Sequence, residues 1–373
     1  MPKRPLSAIV LAAGEGTRMR SSLPKPLHRL CGRPMIRYVL DALVELPVGR
    51  VVVVVGHSGE RVTKALVEGA PPSLAMDFVE QPSRRGTADA LAVALTSLPP
   101  ELGDLDGDVL VLPGDTPLVR PQTLAALVRR HRETEAAATL LTARVDRPDG
   151  TDRVLRDPRD GNVVRVVEDA DVVGDEHAIE EIATTIHCFR HGVLAPALRR
   201  LHPLAGSGEH SLTGVYAVLH DAGYKLESFE AADKTEAAGV NDKAQLAFAE
   251  AELRDRINDR WMRHGVTMWD PERTYVDADA KLEPEVVLLP GVVIEGTSVV
   301  RSGAEIGPDC QLVDSVIGER AVVRYATVTR AEVGARARVG PFAVVGEGVV
   351  VDPGAVVPPG SNLVHERRSA PRS

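Results

Sequence analysis

The stretch "IEGTSVVRSGAEIGPDCQL", residues 294–312, carries an apolar side chain every sixth position: Ile294, Val300, Ile306 and Leu312. The same spacing returns further on at Val333, Val339, Val345, Val351 and Val357. Between these positions stand Gly, Pro, Asp and Ala, as in "AEIGPD", "SVIGER", "AEVGAR" and "ARVGPF". A period of six is neither the 3.6 of a helix nor the 2 of an ordinary strand. It fits a parallel β-helix of hexapeptide repeats, in which one side chain per flat face points inward and stacks on the coil below. The register slips between Leu312 and Val333, which predicts a longer turn there. Three faces per coil predict roughly four coils over about 70 residues.

Upstream the texture differs. Strand-like and helix-like segments alternate: "SAIVLAA" (7–13), "PMIRYVLDALVEL" (34–46), "RVVVVVG" (50–56), "GERVTKALVE" (59–68), "MDFVEQ" (76–81), "GTADALAVALTSL" (86–98), "GDVLVLPGD" (107–115) and "RPQTLAALVRRHRET" (120–134). This βαβα rhythm predicts a Rossmann-like α/β domain, a mostly parallel sheet with helices on both faces. Ligands then belong at the carboxyl ends of the strands. The expected boundaries are an α/β domain at 1–241, a connecting helix at 242–265, the repeats at 266–363 and a disordered tail at 364–373. His365 falls in that tail and reads as a surface residue.

Length and composition agree with two soluble domains. The chain has 373 residues, 44% hydrophobic and 26% charged. Its net charge of −9 argues against nucleic acid as a partner, so any anion site must be a local exception. No apolar run reaches the roughly 20 residues of a membrane span, so no membrane partner is expected. The three cysteines, Cys31, Cys188 and Cys310, form no C-x-x-C pair, which fits a reducing cytoplasm and predicts neither a zinc site nor a disulfide framework.

The chemistry-bearing motifs lie in the first domain. "AIVLAAGEGTRMRSSLPKPLH" (8–28) runs a buried strand into a loop of small residues with positive charge behind it. Glycines let backbone N–H groups approach an anion. Arginine can grip phosphate bidentately, and lysine acts as a point charge. The motif lacks the third glycine of G-x-G-x-x-G and is not a P-loop. A G-x-G after a strand can also be a plain tight turn. Likewise Gly86-Thr87 can be a helix start, Asp115 a turn aspartate, and Glu168 part of a solvated acidic turn.

Taken together, L-A-A-G-x-G-T-R-M followed by L-P-K-P resembles the signature of the sugar-1-phosphate nucleotidyltransferases. Among these the chain is most similar to the uridyltransferase half of the bacterial bifunctional N-acetylglucosamine-1-phosphate uridyltransferases/glucosamine-1-phosphate acetyltransferases. The similarity covers nearly the whole chain and implies a left-handed β-helix. It implies Mg²⁺-dependent nucleotidyl transfer from an NTP, UTP first, to N-acetylglucosamine 1-phosphate or a related hexose 1-phosphate. Arg18 and Lys25 would be catalytic. Leu11, Ala12, Ala13 and Gly14 would meet the nucleotide, with Gln81, Gly86 and Thr87 of "EQPSRRGTADAL" (80–91) reading the base. Asp115 of "VLVLPGDTPLV" (109–119) and Asn241 of "AAGVND" (237–242) would hold the metal.

On the sugar side, Glu168 of "RVVEDAD" (165–171) and Thr213 of "GEHSLTGVY" (208–216) match. Three segments depart from the family pattern. Asp152 in "GTDRV" replaces a glycine before the retained Arg153. Ala183 in "EIATTIH" replaces the asparagine that reads the N-acetyl group, with Thr185 in place of a glycine. Thr213-Gly214 replaces Thr-Asp. The repeats stop before the acetyl-CoA site of the bifunctional relatives, so no acetyltransferase activity is expected. Family β-helices often form homotrimers through their flat faces. The competing expectation, raised by Asp152 and Ala183, is a catalytically weak paralogue that binds nucleotide sugar and regulates or scaffolds.

Overall fold

The structure is a computed structural model that describes residues 4–56, 59–83, 85–98, 107–148, 150–203 and 208–364. His365 and the rest of the tail expected at 364–373 lie outside the described residues, apart from Val364. The chain divides into two compact units, Met1–His28 with Pro34–Ala249, and Arg29–Arg33 with Glu250–Ser373.

In chain order the elements are β1 (Leu6–Ala12), β2 (Arg29–Leu30), β3 (Arg33–Pro34), α1 (Met35–Val44), β4 (Val48–Val55), α2 (Gly59–Gly69), β5 (Met76–Glu80), α3 (Thr87–Thr96), β6 (Asp108–Pro113), α4 (Pro121–Glu133), β7 (Ala138–Arg144), β8 (Asp152–Arg156), β9 (Val163–Val167), β10 (Glu181–Arg190), α5 (His191–Leu198), α6 (Gly214–Asp221), β11 (Leu226–Glu230) and α7 (Lys243–Arg263). The first unit is built on a sheet of order β11-β7-β10-β6-β1-β4-β5. β10 runs antiparallel to both its neighbours, β6 and β7, while the other six strands share one direction. The antiparallel hairpin β8–β9 hangs from β10.

Alternation along the central strands feeds two cores. Ala8, Val10, Val51, Val53, Leu110 and Leu112 pack with α1, α2 and α4. Ile9, Val52, Val54, Val109 and Val111 pack with α3, α5 and α6. Valine runs buried on both faces are what a parallel central strand demands. β1, β4, β5 and β6 all deliver their carboxyl ends to one edge of the sheet, which is where the loops with chemistry begin.

In the second unit, seventeen short strands from Thr267–Met268 to Asn362–Leu363 form three flat parallel sheets of six, six and five strands. This is the build of a left-handed parallel β-helix of hexapeptide repeats. It has more than five coils rather than four, because Val276, Leu282 and Leu288 extend the six-residue phase of Ile294 toward the N-terminus. The slip between Leu312 and Val333 is not a longer turn. Three steps shorten to five residues: Leu312 to Ile317, Val323 to Val328, and Val328 to Val333. Each short step turns on a left-handed residue two places after the inward one: Asp314 (φ 45), Tyr325 (φ 45) and Arg330 (φ 45). Six-residue steps such as Ile317 to Val323 and Val333 to Val339 turn one place later, at Arg320 and Arg336.

Candidate active site

The loop after β1 opens directly from the sheet. Leu11 and Ala12 pair with Val54 and Val55 of β4, and Leu11 accepts from Gly114 N–H at 2.8 Å. Beyond them Ala12, Ala13 and Gly14 line a pocket completed by Arg20, Arg61 and Pro24. A Cβ on Gly14 would meet nothing within 4 Å, so its backbone faces open space. Gly16 has a different task. It sits at φ +64, and a Cβ there would fall 2.7 Å from the Lys25 Cβ. Its missing side chain is the gap into which Lys25 packs.

Lys25 opens a one-turn 3-10 helix, Lys25–Leu27, behind Pro24. Its ammonium donates to Asp115 Oδ2 and, at 2.8 Å, to Asn241 Oδ1. Asp115 follows the end of β6. Its carbonyl accepts from Val240 N–H at 2.9 Å, which lays residues 239–241 alongside it. Gln245 Oε1 accepts from Asn241 N–H at 2.7 Å, and Gln245 N–H donates to Asp242 Oδ1 at 2.8 Å, so Asn241 is locked to the start of α7. Lys243, the first residue of α7, brings its Nζ to 3.2 Å from His28 Nδ1. Burial, and then the Lys243 charge, hold His28 below the ordinary histidine range. The neutral ring can therefore accept from the ammonium.

Asp115 and Asn241 thus present two hard oxygens to one cation, here the Lys25 ammonium. That is a donor set suited to Mg²⁺, which takes few protein ligands and completes its shell with phosphate and water. Among the described residues no group of three or more His, Cys, Asp or Glu converges. A metal held at this position would therefore take no more than a few protein oxygens, with Asp115 and Asn241 as the candidates.

Arg18 lies in the turn Thr17–Met19, exposed, with no ion pair or hydrogen bond among the described residues. Gln81 is buried at the carboxyl end of β5, and its amide gives hydrogens to Gly86 O at 3.2 Å and Asp89 Oδ2 at 2.8 Å. Gly86 caps α3 at φ +96 with His210 O pressed against it, so a Cβ would lie 2.4 Å away. Thr87 Oγ1 accepts from Leu212 N–H at 3.0 Å. Gly86 and Thr87 are therefore the start of a helix as well as candidate base contacts.

Residues 208–213 join the two sides of the site. His210 bonds Arg85 and Ala88 through its backbone, and three residues later Thr213 Oγ1 lies 3.5 Å from Glu168 Oε1. Glu168, Thr213 and Ser211 line a second pocket with Arg165 and His202. Asp152 pairs across the sheet with Ala183. Its Oδ1 accepts from Asp169 N–H at 3.3 Å. Burial, reinforced by the Glu168 and Asp169 charges, lifts its carboxyl to about 6. Arg153 is 1% exposed and spends its guanidinium on Thr151 and, at 3.6 Å, on Asp169. Its side chain braces the β8 turn rather than lining the second pocket.

Residues 8–225 match the family model described as a MobA-like NTP transferase domain. The bifunctional protein GlmU of Thermobifida fusca is 40% identical over 331 residues, 89% of this chain and 68% of that protein. GlmU of Listeria welshimeri is 40% identical over 332 residues, covering 88% and 69%, and GlmU of Desulfitobacterium hafniense (strain DSM 10664 / DCB-2) 39% over 328 residues, covering 88% and 70%. The chain belongs to the GlmU family. It is accordingly a sugar-1-phosphate nucleotidyltransferase, a GlmU-type NTP transferase domain followed by a β-helix. A Bacillus anthracis protein described as a glucose-1-phosphate thymidylyltransferase, crystallised with sucrose, superposes with a TM-score of 0.53 at 19% identity. It covers 67% of this chain and 96% of its own, a likeness of fold.

Within this GlmU-family site, sequence reading missed Arg20, Arg61, Asp89 and the His28–Lys243 pair. Arg20 and His28 stand inside the motif already singled out. Asp89 lies three residues past Gly86 in the quoted "GTADA". Arg61 and Lys243 carry no local signal. Among the described residues no helix is long and apolar enough to cross a membrane.

Proposed function

We propose that this chain transfers a uridylyl group from UTP to N-acetylglucosamine 1-phosphate or a closely related hexose 1-phosphate. A phosphate oxygen of the sugar phosphate attacks the α-phosphorus, the bond to the β-phosphate oxygen breaks, and pyrophosphate leaves. The observation that carries this reading is the meeting of Lys25, Asp115 and Asn241, drawn from three distant segments onto one cation position.

No protein nucleophile is required. The work is positioning and charge stabilisation. Asp115 and Asn241 would hold Mg²⁺, which when bound supplies charge neutralisation between the phosphates of the two substrates. The backbone of Ala12, Ala13 and Gly14 would cradle phosphate oxygens, and Arg18, exposed and without an ion pair among the described residues, would grip the departing pyrophosphate. Lys25 would steady charge on the α-phosphoryl group. Gln81, Gly86 and Thr87 would face the base, and Glu168 and Thr213 the sugar.

Asp152 and Ala183 favour one second reading, a nucleotide-sugar-binding paralogue with little turnover. Pyrophosphate release with a panel of sugar 1-phosphates, set beside direct binding of UDP-sugars, separates the two. A cytoplasmic location belongs to the proposal and is supported by three buried, unpaired thiols. So does a homotrimer, supported by Val344, Val350 and Val356 exposed on the β-helix surface.

A further inference from the structure

Gln81 directly follows β5, with its backbone N–H held by Val55 O at 2.9 Å, so its side chain starts from a fixed point. The amide nitrogen has two hydrogens, and both are used: one on Gly86 O at 3.2 Å, one on Asp89 Oδ2 at 2.8 Å. Both partners are pure acceptors in these contacts. Turning the amide over would set its oxygen against a carbonyl and a carboxylate. The orientation is therefore chemically forced. What remains is Oε1, to which nothing among the described residues donates. Gly86 cannot easily move away, because its backbone is wedged against His210.

We propose that Asp89 is a positioning residue that sets base selection, by fixing the Gln81 amide with its oxygen toward the base. The inference rests on the reading above that Gln81 faces the nucleotide base. A lone acceptor calls for a donor. Uracil and thymine present N3–H at their pairing edge, whereas N3 of cytosine is an acceptor and would meet Oε1 oxygen to lone pair. The site therefore takes pyrimidines bearing N3–H. Without Asp89 only Gly86 O holds the nitrogen end, and the amide is free to turn and offer N–H to cytosine.

The test compares UTP with CTP, by equilibrium dissociation constants and by kcat/KM, in the wild type and in Asp89→Ala, Asp89→Leu and Asp89→Asn. The wild type is expected to prefer UTP by at least about tenfold, the scale of one mismatched buried hydrogen bond. Asp89→Ala and Asp89→Leu should bring that preference below about threefold, while Asp89→Asn, which keeps an acceptor oxygen, retains it. Asp89 also sits in the first turn of α3, where a carboxylate stabilises the helix. A role limited to that would weaken both nucleotides alike and leave their ratio intact. Such an unchanged ratio in Asp89→Ala or Asp89→Leu overturns the inference, as does absence of preference in the wild type or its loss in Asp89→Asn. Base preference in binding without turnover in the wild type would sink the proposed reaction and leave this inference standing.

Discussion

The Lys25 ammonium donates to the Asn241 carboxamide oxygen at 2.8 Å, across 216 residues of chain, and shares that position with Asp115. One side chain thus occupies the place where two oxygens would receive a divalent cation. On the proposed reading, lysine and metal would compete for the same acceptors when no nucleotide is present. Lys25→Ala should therefore bind Mn²⁺, read by its electron paramagnetic resonance signal, several-fold more tightly than the wild type without nucleotide. Unchanged or weaker Mn²⁺ binding would show that the ammonium does not guard the site.

Gly16 is the counterpart of Lys25 in packing. Gly16→Ala forces a left-handed alanine, costing about 1–2 kcal/mol, and drives a methyl into the Lys25 stem. Its melting temperature should drop and its turnover should fall toward that of Lys25→Ala. Gly14→Ala, with open space around the new carbon, should stay within about 0.5 kcal/mol of wild-type stability. Denaturant unfolding and initial rates on the two variants check this contrast.

Asp152 gives a pH signature with a definite sign. Its carboxyl titrates near 6 in the folded chain, above the ordinary carboxylate value of the unfolded one. Between these values the native state binds the extra proton, so Asp152 lowers stability as pH rises toward 6 and remains a burden above it. Asp152→Asn should raise the thermal midpoint at pH 7.5 and lose that advantage near pH 4. An equal gain at both pH values would assign the effect to packing rather than charge.

Much of the fold can be read from pattern alone. The valine run of β4 and the six-residue phase from Ile294 are periodicities that burial on two faces, or on one face of a coil, imposes directly. The antiparallel β10 and the hairpin β8–β9 leave no such mark, because reversal of a strand does not change its local alternation. The five-residue steps hid for a related reason. They keep the inward valines but drop one turn residue, so a search at period six sees only a slip. At the site, motifs pointed to Lys25, Asp115 and Asn241, but not to their contact, which depends on the packing of three loops at one sheet edge. The burial of Arg153 was equally out of reach. Nothing in "GTDRV" distinguishes a guanidinium facing a pocket from one bracing its own turn.

The most direct measurement is pyrophosphate release from UTP with Mg²⁺ and a panel of hexose 1-phosphates, run on the wild type and on Lys25→Ala. The account predicts release that requires both Mg²⁺ and a sugar 1-phosphate, and that falls by about 10²–10³ in Lys25→Ala, the scale of losing one preorganised charge-stabilising group. Wild-type protein that binds UDP-sugars yet turns over none of the panel, or a Lys25→Ala variant at full rate, would contradict it.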